Sequence, residues 1–318
     1  MDELSVIVSR RRQEAEGICS FELARPDGDE LPAFIAGAHL DVHVRSGVVR
    51  QYSLCGDPGD RRRWRIAVLR EPASRGGSAG MHDVVHAGST LRVSAPRNHF
   101  ALVPAPHSLL VAGGIGVTPI LAMAKTLHRQ GGSFEMHYCT RSPARTAFLD
   151  ELRVAAFGER VRFHFGDGEP AQKFDAESVF SRAQPGTHLY VCGPSGFMDH
   201  VLETARRLGW PEERLHREYF AGSAASSPAD TEFDVQLAQS KRTLRIPTGK
   251  SVLEVLLGCG VDVPFSCESG VCGTCLTRVL EGTPDHRDSY LNDAERAAND
   301  QFTPCCSRSK TPVLVLDL

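Results

Sequence analysis

The spacing of apolar and polar residues changes character twice along the chain. Up to about residue 103, short apolar runs alternate with glycine and proline punctuation. Residues 5–8, 18–23, 40–44, 64–68 and 90–93 read as strands. Many short strands with frequent turns predict a small antiparallel β-barrel. One short helix is expected over 80–85. From Ser108 the rhythm differs. Residues 108–112 form an unbroken apolar run, as in a parallel strand buried on both faces, and 120–130 carry apolar residues at helical spacing. Strands at 134–139, 161–165 and 188–192, with helices near 147–154 and up to about 209, extend an α/β pattern with a Rossmann-like parallel sheet. A small-residue stretch, 221–229, reads as a linker. Beyond it come a hairpin (233–237 and 242–247), a helix capped by Ser251 and stopped by Gly258, a strand (276–280), a short helix (291–298) and a closing strand (313–318). That order suits a β-grasp fold. The expected architecture is multidomain, α+β and α/β, with domains at 1–103, 104–222 and 231–318 and a linker at 223–230.

Composition narrows the classes. The chain has 318 residues, of which 41% are hydrophobic and 24% charged, enough for several cores. A formal net charge of −3 gives no basic footprint for nucleic acid. No apolar run reaches the ~20 residues of a membrane helix. The first residues lack a charged-then-apolar leader pattern, so a cytoplasmic location, with reduced thiols, is expected.

Ten cysteines are present. Three of them, Cys267, Cys272 and Cys275, stand at C-x4-C-x2-C spacing, and Cys305 follows 30 positions after Cys275. This is the plant-type spacing for a [2Fe–2S] cluster. A short loop can supply three thiolates, with Gly270 and Gly273 permitting the turns. A four-cysteine zinc site is the rival reading, but zinc sites ordinarily pair two C-x2-C knuckles, and only one is present. Cys19, Cys55, Cys139, Cys259 and Cys306 read as buried or spare thiols.

Two stretches of the first third carry further chemistry. In Arg50-Gln51-Tyr52-Ser53-Leu54, period-two spacing puts Arg50, Tyr52 and Leu54 on one face and Ser53 on the other. Arg75-Gly76-Gly77-Ser78 leads into the short helix and could cradle a phosphate. In the middle third, Gly113-Gly114-Ile115-Gly116-Val117-Thr118-Pro119 follows a strand and opens a helix, the layout that binds a pyrophosphate. Pro119 replaces the third glycine of the dinucleotide fingerprint, and alone the match is weak. Cys192-Gly193-Pro194-Ser195-Gly196-Phe197-Met198 ends a later strand.

Taken together, these motifs resemble the ferredoxin reductase superfamily. Two such domains followed by a plant-type ferredoxin domain resemble the phthalate dioxygenase reductase family over essentially the whole chain, and most of all its branch serving O-demethylating oxygenases. The resemblance implies an antiparallel β-barrel flavin domain, in which Arg50 meets the FMN phosphate, Tyr52 and Ser53 lie against the flavin, and Gly76, Gly77 and Ser78 complete the phosphate pocket. It implies that the loop of Gly113, Gly114, Gly116, Thr118 and Pro119 holds the pyrophosphate of NADH, that Cys192, Gly193 and Pro194 lie by the nicotinamide, and that Thr118 and Cys192 flank the hydride-transfer centre. Phe220 would cover the flavin. Ser53, Cys192 and Phe220 are then the candidate catalytic residues, and Cys267, Cys272, Cys275 and Cys305 the metal ligands. Cys305 is preferred to Cys306 because the last ferredoxin ligand is followed by one residue and then a small one, here Ser307.

The implied function is reductase component of a Rieske non-haem iron oxygenase, acting with NADH and an oxygenase partner. NADPH stays open, because Arg141 and Arg145 follow the second strand with no adjacent acid. Glu254, Asp262 and Glu268 could dock a basic partner or simply form a solvated face. A stand-alone flavin and iron–sulfur reductase, a reductase of a quaternary-amine oxygenase and a non-enzymatic redox module are the rival functions.

Overall fold

The computed structural model describes residues 3–45, 48–72, 74, 76–220, 230–265, 268, 270, 273–288 and 290–318. They form two compact units, Met1–Glu218 and Tyr219–Leu318.

The first unit begins with seven strands: β1 (Glu3–Ala15), β2 (Ile18–Ala24), β3 (Ala38–Arg45), β4 (Val48–Ser53), β5 (Trp64–Leu69), β6 (Thr90–Ser94) and β7 (Arg97–Asn98). A short helix, α1 (Gly77–Asp83), precedes β6. The sheet order is β4-β3-β6-β1-β2-β5, with β7 on β3, and every pairing is antiparallel. A bridge between Leu54, just past β4, and Ile66 of β5 joins the two ends of that order. The sheet therefore curls toward closure, as the barrel expectation required. Alternate residues such as Val6, Phe21, Leu40 and Trp64 fill its interior. β1 is much longer than the four residues expected. Its second half is polar and reads as loop, but its backbone still pairs with β2 through two irregularities, after Val8 and after Gln13.

The parallel sheet follows: β8 (His107–Gly113), α2 (Val117–Arg129), β9 (Phe134–Thr140), α3 (Leu149–Val154), β10 (Val161–Phe165), α4 (Ala176–Ser181), β11 (Thr187–Cys192), α5 (Ser195–Arg207) and β12 (Leu215–Glu218). Its order is β10-β9-β8-β11-β12. The chain direction across the sheet reverses between β8 and β11, the switch point at which such folds bind ligands. The sequence pattern missed α4 and β12. β12 has only four residues, mostly polar, and survives as an edge strand on β11.

Barrel and sheet share one apolar core: Ile18, Cys55, Ala67 and Phe100 cluster with residues of β8, α2 and β9. Beside it lies a half-buried ion cluster. Arg65 Nη1 and Nη2 donate to the two oxygens of Glu151 at 2.7 and 2.9 Å. Lys125 Nζ is 2.9 Å from Glu151 Oε1, and the Arg65 guanidinium stacks 4.6 Å from the Phe148 ring. The expected boundary at 103/104 falls between β7 and β8, inside this unit.

The second unit comprises β13 (Phe233–Leu237), β14 (Thr243–Ile246), α6 (Val252–Gly258), β15 (Thr277–Glu281), β16 (Pro284–Asp285), α7 (Asp293–Ala298), β17 (Gln301–Phe302), β18 (Arg308–Ser309) and β19 (Val313–Leu316). The mixed sheet runs β14-β13-β19-β15-β17, with β13 and β19 parallel. α6 covers it through Val252, Leu253 and Leu256. Ser251 and Glu254 form a reciprocal capping box at its start. The helix runs through Gly258 and stops one step later than expected, where Gly260 takes φ +75°. The expected linker lies mostly in 221–229, outside the described residues. Asp230, the next residue, is ion-paired with Arg287 at 2.6 Å. No helix among the described residues is long and apolar enough to cross a membrane.

Burial alone would raise the Glu151 carboxyl, but the hydrogen bond and charge of Arg65, with Lys125, bring it down to about 2. Its contribution to stability is therefore complete above the ordinary value of 4.5 and is lost as pH falls from there toward about 2. Glu151→Gln should cost about 2 kcal/mol at neutral pH and flatten the acid limb of the denaturation profile. An unchanged acid limb would refute this assignment.

Candidate functional site

Three places hold the residues singled out by their sequence motifs. The first is the end of β4. Arg50 and Tyr52 are half-buried and Ser53 is buried. The Arg50 side chain lies across the start of α1: a Cβ on Gly77 would come within 2.6 Å of Arg50 Cγ. The arginine strand and the glycine turn, 27 positions apart, are thus brought together. Gly76 caps α1 at φ +94°, a conformation that favours glycine. The sequence reading passed over Ser74, whose Oγ accepts from the Gly76 and Ala79 amides at 3.2 and 3.1 Å. Ser78 Oγ accepts from the Glu71 amide at 3.0 Å. The Tyr52 hydroxyl is buried with no hydrogen-bond partner among the described residues, and burial raises its pKa. An orphaned phenol beside an arginine and a glycine turn fits a polar, anionic ligand. Arg75 lies outside the described residues.

The second place is the switch point of the parallel sheet. β8 and β11 are neighbours, with Ala112 opposite Cys192. Their loops pack backbone on backbone. A Cβ on Gly116 would overlap the Cys192 carbonyl, and one on Gly193 would lie 2.9 Å from Gly113 Cα. Gly114 has φ +53° and open space around its Cα. The packed glycines hold the two loops together, and the open space at Gly114 fits close approach of a pyrophosphate. Thr118 and Pro119 are buried in the first turn of α2. The Thr118 hydroxyl donates to the Ile115 carbonyl at 3.0 Å, which fixes the loop. Pro194 precedes α5.

Between these two places stands a residue that sequence reasoning missed. Glu218 ends β12, directly opposite Cys192 of β11. Ser53 Oγ donates to Glu218 Oε2 at 3.2 Å. Burial pushes the Glu218 carboxyl up to about 8, against the pull of the Ser53 hydrogen bond. Burial also pushes the Cys192 thiol well up, and Glu218 adds to the shift. Serine, thiol and carboxyl thus meet where barrel and sheet join. Phe220, two residues further on, is 39% exposed and belongs to the second unit.

The structure also changes the picture behind β9. Arg141 has no acid next to it in sequence, but the Asp167 amide, just past β10, donates to the Arg141 carbonyl at 3.0 Å. Two opposite charges therefore flank the neighbouring strand ends. Arg145 is 3.5 Å from Glu16.

The third place is the cysteine cluster. Cys267 and Cys272 lie outside the described residues; Cys275 and Cys305 are both buried. Gly270 and Gly273 have φ +75° and +69°. A Cβ on Gly270 would overlap Cys306 Sγ, and one on Gly273 the Tyr290 ring. At these two positions the backbone is packed where only glycine fits. The Cys306 thiol is within 3.2 Å of Thr303 Oγ1, inside its own turn.

A flavin-type barrel, a nucleotide-type switch point and a cysteine loop on a mixed sheet define an electron-transferring oxidoreductase. The comparisons agree. The family profile for the 2Fe-2S iron-sulfur cluster binding domain matches residues 235–310. A second profile, the N-terminal domain of dimethylamine monooxygenase subunit DmmA-like proteins, matches residues 95–215. The chain is 53% identical over 317 residues to the vanillate O-demethylase oxidoreductase of Pseudomonas putida, covering 99% of this chain and all of that one. It is 43% identical over 317 residues to the phthalate dioxygenase reductase of Burkholderia cepacia, covering 99% and 97%. A solved phthalate dioxygenase reductase, described as a modular structure for electron transfer from pyridine nucleotides to [2Fe–2S], superposes with a TM-score of 0.80 at 43% identity, covering 99% and 98%. The chain belongs to the phthalate dioxygenase reductase family and is the reductase component of an oxygenase system.

A carboxyl near 8 in the folded state and 4.5 when unfolded binds its proton more tightly when folded. Folding stability therefore falls as pH rises from 4.5 to about 8 and levels off beyond. Glu218→Gln should remove that fall in urea denaturation between those limits. Parallel profiles for the two proteins would contradict the assignment.

Proposed function

We propose that this chain carries electrons from NADH through FMN and a [2Fe–2S] cluster to a Rieske-type oxygenase that demethylates a methoxylated aromatic acid of the vanillate type. The observation that carries this reading is the full-length identity, 51% and 53%, to two vanillate O-demethylase oxidoreductases, each covered from end to end. The profile shared with dimethylamine monooxygenase subunits spans only residues 95–215, which leaves an amine oxygenase partner the weaker reading.

A bound flavin would supply hydride acceptance from NADH and one-electron release, and a bound cluster would supply one-electron relay to the partner. The residues of the chain bind and place these groups. Arg50 meets the FMN phosphate with its charge, the Gly76-Gly77-Ser78 turn lets that phosphate approach the backbone, and the Tyr52 hydroxyl gains a partner. Gly113, Gly114, Gly116, Thr118 and Pro119 shape the pyrophosphate loop. Cys192, Gly193 and Pro194 line the nicotinamide side. With its carboxyl near 8, Glu218 is protonated at neutral pH and accepts from Ser53 at Oε2. The pair, with the neutral Cys192 thiol, gives the hydride-transfer region polar contacts without a fixed charge. Phe220 covers the flavin. Cys267, Cys272, Cys275 and Cys305 hold the cluster; the Cys306 thiol is engaged by Thr303. The functional domains are 1–103, 104–222 and 231–318, joined by the 223–230 linker.

Asp167 supports NADH over NADPH. Its backbone amide bonds the Arg141 carbonyl, which brings an acid to the strand end behind β9, and a carboxylate there suits ribose hydroxyls and repels a 2′-phosphate. Asp167→Ser should raise kcat/KM for NADPH relative to NADH by about tenfold. No change in that ratio would remove Asp167 from the site. Cys272→Ser tests the route. It should abolish NADH-driven reduction of a protein acceptor while leaving NADH-driven dye reduction. Retention of both activities would take the cluster off the path.

A further inference from the structure

The second unit buries one carboxylate against the cysteine loop. The Asp288 side chain is 0% exposed. The amides of Tyr290 and Leu291 donate to its Oδ2 at 3.1 and 2.8 Å, and Ser307 Oγ donates to Oδ1 at 3.5 Å. Arg296 Nη2 lies 4.0 Å from Oδ2 and donates to the Asp288 carbonyl at 2.5 Å. His286 Nδ1 is 3.8 Å from Oδ1. On its other side Asp288 touches the loop itself. A Cβ on Gly270 would lie 3.0 Å from Asp288 Cα and 3.1 Å from its Cβ. Gly270 stands between Cys267 and Cys272 in sequence, and Ser307 stands two residues after Cys305.

Asp288 therefore packs against Gly270, and its carboxylate is bonded to Ser307, one residue from each of the two stretches that supply cysteines. Burial weakens the screening of its charge by water. An iron–sulfur cluster gains one electron and one negative charge on reduction, and nearby charge is one of the factors that set its potential. A fixed carboxylate opposes the added electron; a guanidinium favours it.

We propose that Asp288 sets the reduction potential of the cluster, holding it low, and that Arg296 is the counter-charge that limits the lowering. The proposal rests on the assignment of the cysteine loop as the cluster site. A low potential makes the reduced cluster a strong donor to the oxygenase, at the expense of driving force from the flavin. Asp288 acts through its field and through the loop it positions; it does not ligate iron.

The test is an anaerobic redox titration of the full-length, cluster-loaded protein, read by electron paramagnetic resonance. Asp288→Asn preserves shape and removes the charge. It should raise the midpoint so that, at the wild-type midpoint, the reduced-to-oxidised ratio increases three- to tenfold; tenfold is ~59 mV for one electron. Arg296→Gln should move the midpoint the other way. Unchanged midpoints in both variants, or shifts in the same direction, overturn the proposal. If Asp288→Asn fails to assemble its cluster, Arg296→Gln decides alone: a lowered midpoint upholds the proposal, and an unchanged or raised one overturns it. Iron and sulfide content of the wild-type protein separates these outcomes from failure of the cluster assignment itself.

Discussion

The half-buried Arg65–Glu151 pair is the contact on which the first unit depends. It joins a barrel strand to the helix after β9, and Lys125 from α2 and the Phe148 ring complete it. Taking these charges from water is costly, and removing one partner strands the others. The pair holds barrel and parallel sheet in one arrangement, together with the shared core around Cys55, Ala67 and Phe100. That arrangement lets Ser53, at the end of β4, reach Glu218, at the end of β12. Hydride transfer needs two ring systems in contact, so the two folds must not slide past each other.

A second constraint is close backbone approach. At the switch point the loops after β8 and β11 touch through Gly113, Gly116 and Gly193. In the second unit Gly270 and Gly273 play the same part against Cys306 and Tyr290. These glycines let protein segments pack where a Cβ would collide, and Gly114, with open space at its Cα, leaves room beside the nucleotide-type loop. The two sites are alike in principle: a rigid sheet supplies the positions, and a Cβ-free loop supplies the approach.

Much of this was legible in the sequence because it is local. The change from period-two runs to a buried apolar strand and helix marked the barrel and the α/β sheet. Cysteine spacing pointed to the 2Fe-2S type domain, and the paired glycine loops pointed to what the structure shows as the switch point of the parallel sheet. What stayed hidden is contact across the fold. Glu218 lies 165 residues from Ser53, in a short polar strand that carries no apolar signal. Asp167 stands beside Arg141 only because β10 pairs with β9. A search for an acid along the chain after β9 could not find it. Asp288 was equally silent, since a buried aspartate and a surface aspartate look alike in sequence; the Asp-x-Tyr-Leu turn after β16 is the one local hint.

The proposed function turns on pyridine nucleotide, flavin and cluster forming a single electron path in this chain. An anaerobic titration of the purified protein with NADH, followed by absorption spectroscopy, tests it most directly. Flavin bands and broad iron–sulfur absorption, both bleached by NADH and more slowly by NADPH, are the predicted result. A colourless, zinc-containing protein, or a flavin that bleaches while the cluster stays oxidised, would contradict it.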